Sequence, residues 1–78
     1  MNPEELLKHL IEPLVKYPDE IKISSVQGED AIILELRVHA DDMGRVIGKG
    51  GKRAQSIRSI LKAKGNAENN RYLLDIVD

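Results

Sequence analysis

The chain predicts an α+β fold of two layers, with helices packed against one side of a small sheet. Three observations predict it. Leu6, Leu7, Leu10, Ile11, Leu14 and Val15 recur at helical spacing near the start. Ala31 to Val38 alternates apolar and polar residues at the strand period. Ala54, Ile57, Ile60 and Leu61 then make a second helical stripe, ahead of a final apolar run. A striped helix and a half-apolar strand each carry one face that water disfavours, and stacking the two buries both.

The elements follow in order. Asn2 is a good N-cap, Pro3 suits the first helical position and Glu5 stands where a capping-box acid sits. The stripe predicts one helix reaching Val15, with Lys8, His9, Glu12, Pro13 and Lys16 on its wet side and Pro18-Asp19 as its end. Pro13 removes one hydrogen bond and crowds the preceding turn, so a bend is expected there, with water on the freed carbonyl. Ile21 to Val26 alternates imperfectly and reads as a strand. Gln27-Gly28-Glu29-Asp30 is turn chemistry. Ala31 to Val38 returns as the second arm of a hairpin, with Ile32, Leu34, Leu36 and Val38 on one face and Glu35 and Arg37 on the other.

Asp41 or Asp42 is expected to cap a short helix through Met43, Val46 and Ile47 that stops at Gly48. A longer helix is expected from near Gly51 to Lys64, with Gly65 as its C-terminal stop. Residues 65–70 read as a polar loop and 71–77 as a last strand. That strand offers Leu73 with Val77 or Leu74 with Ile76, so its inward face stays open. The order is α-β-β-α-α-β, a three-stranded sheet against helices.

Composition narrows the function. Seventy-eight residues make a single domain, 1–78, whose core supplies only a few kcal/mol of net stability. The absence of Cys excludes disulfides and thiolate metal sites. No basic stretch precedes an apolar one at the N-terminus and no apolar run nears the ~20 residues of a membrane span, so a cytoplasmic protein is expected. Tyr17 and Tyr72 are the only aromatics. Modules that stack bases on a sheet need two or three aromatics there, which disfavours RNP-type, cold-shock and OB-fold readings. His9 and His39 lack a second ligand at metal spacing, and no cofactor is implied.

Charge is the sharpest signal. No acidic residue stands between Asp42 and Glu68, and the gap holds Arg45, Lys49, Lys52, Arg53, Arg58, Lys62 and Lys64. The rest of the chain has five cations against all thirteen acids, so a net charge of −1 conceals one strongly basic segment. A polyanion is drawn to that segment and repelled elsewhere. At its centre lies Val46-Ile47-Gly48-Lys49-Gly50-Gly51-Lys52-Arg53, where glycines without Cβ allow close backbone approach to a phosphate. A P-loop is excluded, because only three residues separate Gly44 from Gly48 and Lys49 precedes Gly50. A dinucleotide fingerprint is excluded by Arg53 at the third glycine position. The gap also lacks any carboxylate to hold Mg²⁺, which argues against phosphotransfer or nuclease chemistry.

The Ile-Gly-x-x-Gly run between two helices, followed by Ile57-Arg58, resembles the signature of the K-homology (KH) domain. With the element order, the whole chain resembles a type II KH fold, and within it the small stand-alone bacterial KhpA (YlqC) family. The resemblance implies a non-catalytic single-stranded RNA-binding protein, an RNA chaperone or post-transcriptional regulator. Gly48, Lys49, Gly50 and Gly51 would clamp the backbone of about four nucleotides. Val46, Ile47, Ala54 and Ile57 would line the base groove, with Arg45, Lys52, Arg53 and Arg58 as flanking cations. Tyr72 to Ile76 would form the far wall and 65–70 the variable loop. Ala54 stands where many members carry Ile or Val, and Gly50 where a second basic residue is common. The implied partners are RNA and a second KH chain, as a homodimer or with a KhpB (Jag)-type protein. A dimerising adaptor with secondary RNA binding is the alternative.

Overall fold

The computed structural model describes residues 1–78. Asn2 caps α1 (Pro3–Ile11): its side chain accepts from the Glu5 N–H at 2.7 Å while the Glu5 carboxylate accepts from the Asn2 N–H at 3.1 Å. Two orphan donors at the helix start are thereby satisfied. Leu7 and Ile11 enter the core fully buried. The bend expected at Pro13 is instead the end of the helix. A 3₁₀ turn over Glu12–Leu14 leads out of α1, and Val15 is extended. Proline fits the start of that tighter turn, where no N–H is required of it. Leu14 and Val15 still pack on the core, so the apolar stripe outlasts the helix that suggested it.

β1 (Lys22–Gln27) and β2 (Ile32–Arg37) form the antiparallel hairpin, closed by the Gly28 N–H donating to the Ala31 carbonyl at 2.8 Å. β3 (Tyr72–Ile76) pairs in parallel with β2, giving a mixed sheet of order β1-β2-β3. A parallel pairing needs a crossover, and α2 (Met43–Ile47) and α3 (Lys52–Glu68) supply it. Register settles the ambiguous last strand. Ile32 faces Tyr72, Leu34 faces Leu74 and Leu36 faces Ile76, so these β3 residues lie on the helix side. Leu73 lies on the other face and is exposed.

The core joins Leu7 and Ile11 of α1, Leu34 and Leu36 of β2, Val46 of α2, Ile57 and Leu61 of α3, and Tyr72 and Leu74 of β3. Burying a side chain of this kind gains about 1.5–3 kcal/mol. Two details of α3 depart from expectation. Ile60 is exposed, because the buried stripe runs Ala54, Ile57, Leu61, Gly65 and position 60 lies ~100° away from Leu61. Gly65 is not a stop but a buried residue within the helix. A Cβ there would lie 2.5 Å from the Asn70 carbonyl oxygen, so the glycine serves a close approach of chain to chain. Asn69 ends α3 instead, in the left-handed conformation at φ 58, and its N–H and that of Asn70 both reach the Gly65 carbonyl. The loop expected over 65–70 thus shrinks to Asn69–Arg71.

Candidate nucleic-acid interface

The glycine loop is built from two kinds of glycine. Gly48 ends α2 at φ 77, and a Cβ on it would sit 2.6 Å from the Cβ of Arg53. Its bare Cα lets α2 and α3 converge. Gly50 and Gly51 also have positive φ, 63 and 76, but nothing lies within 4 Å of a Cβ at either. The turn is closed by the Gly51 N–H donating to the Gly48 carbonyl at 3.1 Å. It leaves bare main chain facing open space beside the exposed Lys49 and Lys52, the setting in which backbone N–H groups meet anions.

Asp42 anchors the start of α2, and it does so in a way the sequence does not foretell. Neither acid caps α2 through its side chain. Asp42 is fully buried and turns back to the segment between α1 and β1. Its Oδ1 accepts from the Lys16 N–H at 2.9 Å and its Oδ2 from the Tyr17 N–H at 3.0 Å. Arg45 Nη1 donates to Oδ1 at 3.0 Å. Burial alone would raise its pKa, but the two backbone donors and Arg45 outweigh that and hold the carboxyl below its ordinary value. A buried charge is tolerable because both carboxylate oxygens have donors, one of them the Arg45 cation. His39 Nδ1 accepts from the Asp41 N–H at 3.0 Å, so a histidine caps the short turn before α2. The Tyr17 ring stacks on His39 with centroids 4.1 Å apart.

The seven cations of the acid-free segment divide accordingly. Arg45 is paired with Asp42, Arg53 donates to the Arg45 carbonyl, and Lys64 pairs with Glu68 at 2.8 Å. Lys49, Lys52, Arg58 and Lys62 are exposed and outside any ion pair. Arg58 makes only one long bond, to the Leu74 carbonyl at 3.4 Å.

Beside the loop runs a groove of about 340 Å³ between α2, α3 and the end of β3. Met43, Ile47, Ala54 and Ile76 give it apolar surface, Gly50 and Gly51 one rim, and Gln55, Arg58 and Asp78 its polar positions. Ile47 and Ala54 line it, Ala54 with only 3% of its surface exposed. Val46 and Ile57 do not: Val46 is fully buried and Ile57 4% exposed, and both support the groove from the core without lining it. Met43 was missed, although it precedes Ile47 by four residues and so shares its helix face. Gln55 carried a similar signal through Gly51 and Arg58. Asp78 carried none, because its place depends on where β3 ends; the Arg37 guanidinium donates to its carbonyl at 3.1 Å. No helix is long and apolar enough to cross a membrane.

This architecture agrees with comparisons against known proteins. The profile of the KhpA/KhpB KH domain matches residues 4–76. The RNA-binding protein KhpA of Clostridium acetobutylicum is 46% identical over 74 residues, covering 95% of this chain and 99% of the relative. KhpA of Clostridium perfringens is 40% identical with the same coverage. KhpA of Bacillus subtilis is 37% identical over 75 residues, 96% of this chain and 93% of its own. A match over nearly the whole chain, together with the element order and mixed sheet, leaves one assignment: the chain belongs to the KhpA/KhpB family of KH domains.

Proposed function

We propose that this protein is a non-catalytic single-stranded RNA-binding module that serves as an RNA chaperone or post-transcriptional regulator. The Gly48-Lys49-Gly50-Gly51 loop grips the backbone of about four nucleotides, and the adjoining groove receives their bases. The observation that carries this reading is the open space over Gly50 and Gly51 between the exposed Lys49 and Lys52. A phosphate can approach main chain there without meeting a side chain. The relatives' description as RNA-binding proteins supports RNA as the ligand. Bases would rest on Met43, Ile47, Ala54 and Ile76.

A four-nucleotide site without aromatic platforms binds at roughly micromolar Kd, about −8 kcal/mol. Pairing two such chains raises avidity by ~10²–10⁴. Assembly with a second copy or with a KhpB-type KH protein belongs to the same reading, and the exposed Val26 and Ile60 leave apolar surface for it. Light scattering and a pull-down from bacterial lysate test that part.

The decisive test of the clamp is Lys49→Asp with Gly50→Asp, titrated with short RNA by NMR. Loss of binding with an unchanged fold is expected. Unchanged affinity would leave the loop without a role in binding.

A further inference from the structure

We propose that the groove continues past Arg58 into a second phosphate-binding pocket, so that the bound strand extends beyond the nucleotides held by the loop. This rests on the RNA-binding reading above. Between α3 and β3 lies a cavity of about 610 Å³, larger than the groove beside the glycine loop. Arg58 lines both, so the two adjoin at its side chain, which crosses from α3 to the Leu74 carbonyl at 3.4 Å and would have to give way for one strand to occupy both. Arg58, Lys62 and Asn66 are spaced four apart and form one stripe on α3, each step advancing ~6 Å. From Gly51 to Asn66 that wall rises ~22 Å. Arg71, just before β3, lines the opposite side.

The chemistry of this pocket is that of an anion site. Arg58, Lys62 and Arg71 are all exposed, none is in an ion pair, and no carboxylate lines the cavity. The loop groove, by contrast, contains Asp78. Asn66 and Asn70 add amides for a base or ribose: Asn70 Nδ2 donates to Tyr72 Oη at 3.2 Å, which leaves its carbonyl oxygen for a ligand. Leu73, 40% exposed, offers an apolar patch at the edge. The pocket is also preformed. Gly65 brings α3 against Asn70, and Tyr72 Oη donates to Glu68 Oε1 at 2.7 Å, which fixes the angle between α3 and β3. A basic concavity in line with a backbone-gripping loop selects the phosphates of the same strand over an acidic peptide, which would have no reason to share the groove.

Mixed-sequence RNA pools of four and eight nucleotides, followed by fluorescence anisotropy, test the proposal. Wild-type protein is expected to bind the octanucleotide more tightly than the tetranucleotide after correction for the number of registers. Lys62→Ala with Arg71→Ala should weaken the octanucleotide about tenfold and reduce its salt slope by ~1.4, at ~0.7 per lost phosphate contact. The tetranucleotide should be unaffected. Both residues are exposed, so circular dichroism should match the wild type. Equal affinity for the two lengths, or equal weakening of both by the double variant, overturns the proposal while leaving the loop reading intact. Wild-type protein that binds neither length removes the RNA reading itself, and the extension with it. Acidic-peptide binding lost in the double variant, with no RNA length effect, reassigns the pocket.

Discussion

The two ends of α3 use glycine for opposite purposes. At the loop end, Gly50 and Gly51 have left-handed backbone and empty space where a Cβ would be. At the far end, Gly65 has ordinary helical backbone and no space at all, with the Asn70 carbonyl oxygen 2.5 Å from a Cβ position. Open glycine leaves main chain available to a ligand. Crowded glycine lets the protein touch itself. The first kind tolerates substitution as far as folding goes, apart from the strain of positive φ, whereas the second is a packing constraint.

The comparison is broken most directly by adding one methyl at each kind of site. Gly65→Ala forces a Cβ against backbone, which cannot rotate away, and should cost about 2–3 kcal/mol, the upper range of overpacking. For a domain of this size Tm should fall by about 10 °C or more. Gly44→Ala is the control, because Gly44 sits in α2 with nothing within 4 Å of its Cβ position and no positive φ. Alanine there should stabilise by about 0.5–1 kcal/mol. Thermal unfolding of the two variants measures both. Similar Tm values would mean that the approach at Gly65 relaxes freely, and the contrast between open and crowded glycine would fail.

Asp42 is a smaller lever on the loop end. Its carboxyl is held below its ordinary value of 3.8, so it stabilises the fold fully above that value and the contribution is lost as pH falls through the lowered pKa. Glu68 is lowered as well, chiefly by the Lys64 ammonium and the Tyr72 hydroxyl, and adds the same sign at the far end. Asp42→Asn keeps one acceptor and loses the other, together with its charge for Arg45. The variant is expected to be less stable at neutral pH and to lose less stability on acidification than the wild type. Denaturant midpoints at pH 7 and pH 3 show this; parallel pH profiles would mean that Asp42 carries no linked stability.

The sequence was most legible where a local rule and the tertiary structure agree. The Asn2–Glu5 capping box, the hairpin and the glycine loop each follow from residues a few positions apart. Legibility failed where a distant contact decided the outcome. Gly65 resembles a helix stop until the Asn70 carbonyl and Tyr72 are seen against it. Asp42 resembles a cap until Lys16 and Tyr17, far away in sequence, claim both its oxygens. Pro13 on the wet side of the stripe suggests a bend, yet a 3₁₀ turn continues a stripe equally well over one turn. Val46 and Ile57 were placed in the groove by the motif and in the core by packing. A groove needs a buried support, and a motif does not separate support from surface.

The smallest effect concerns neighbours that the sequence treats alike. Lys52 and Arg53 are adjacent cations after the glycine loop, and charge counting gives each a phosphate. Arg53 spends its guanidinium on the Arg45 carbonyl, and its Cβ packs under Gly48. Lys52 is exposed and unpaired. If three or four cations meet phosphates, log K should fall against log salt with a slope of about −2 to −3. Lys52→Ala should flatten that slope by ~0.7 with stability unchanged. Arg53→Ala should leave the slope in place and lower stability instead, by about 1 kcal/mol for one lost hydrogen bond. Affinities at several salt concentrations, paired with denaturant melts, separate the two. A flatter slope in Arg53→Ala would show that its guanidinium leaves the Arg45 carbonyl for the ligand, and the loop would then be remodelled on binding.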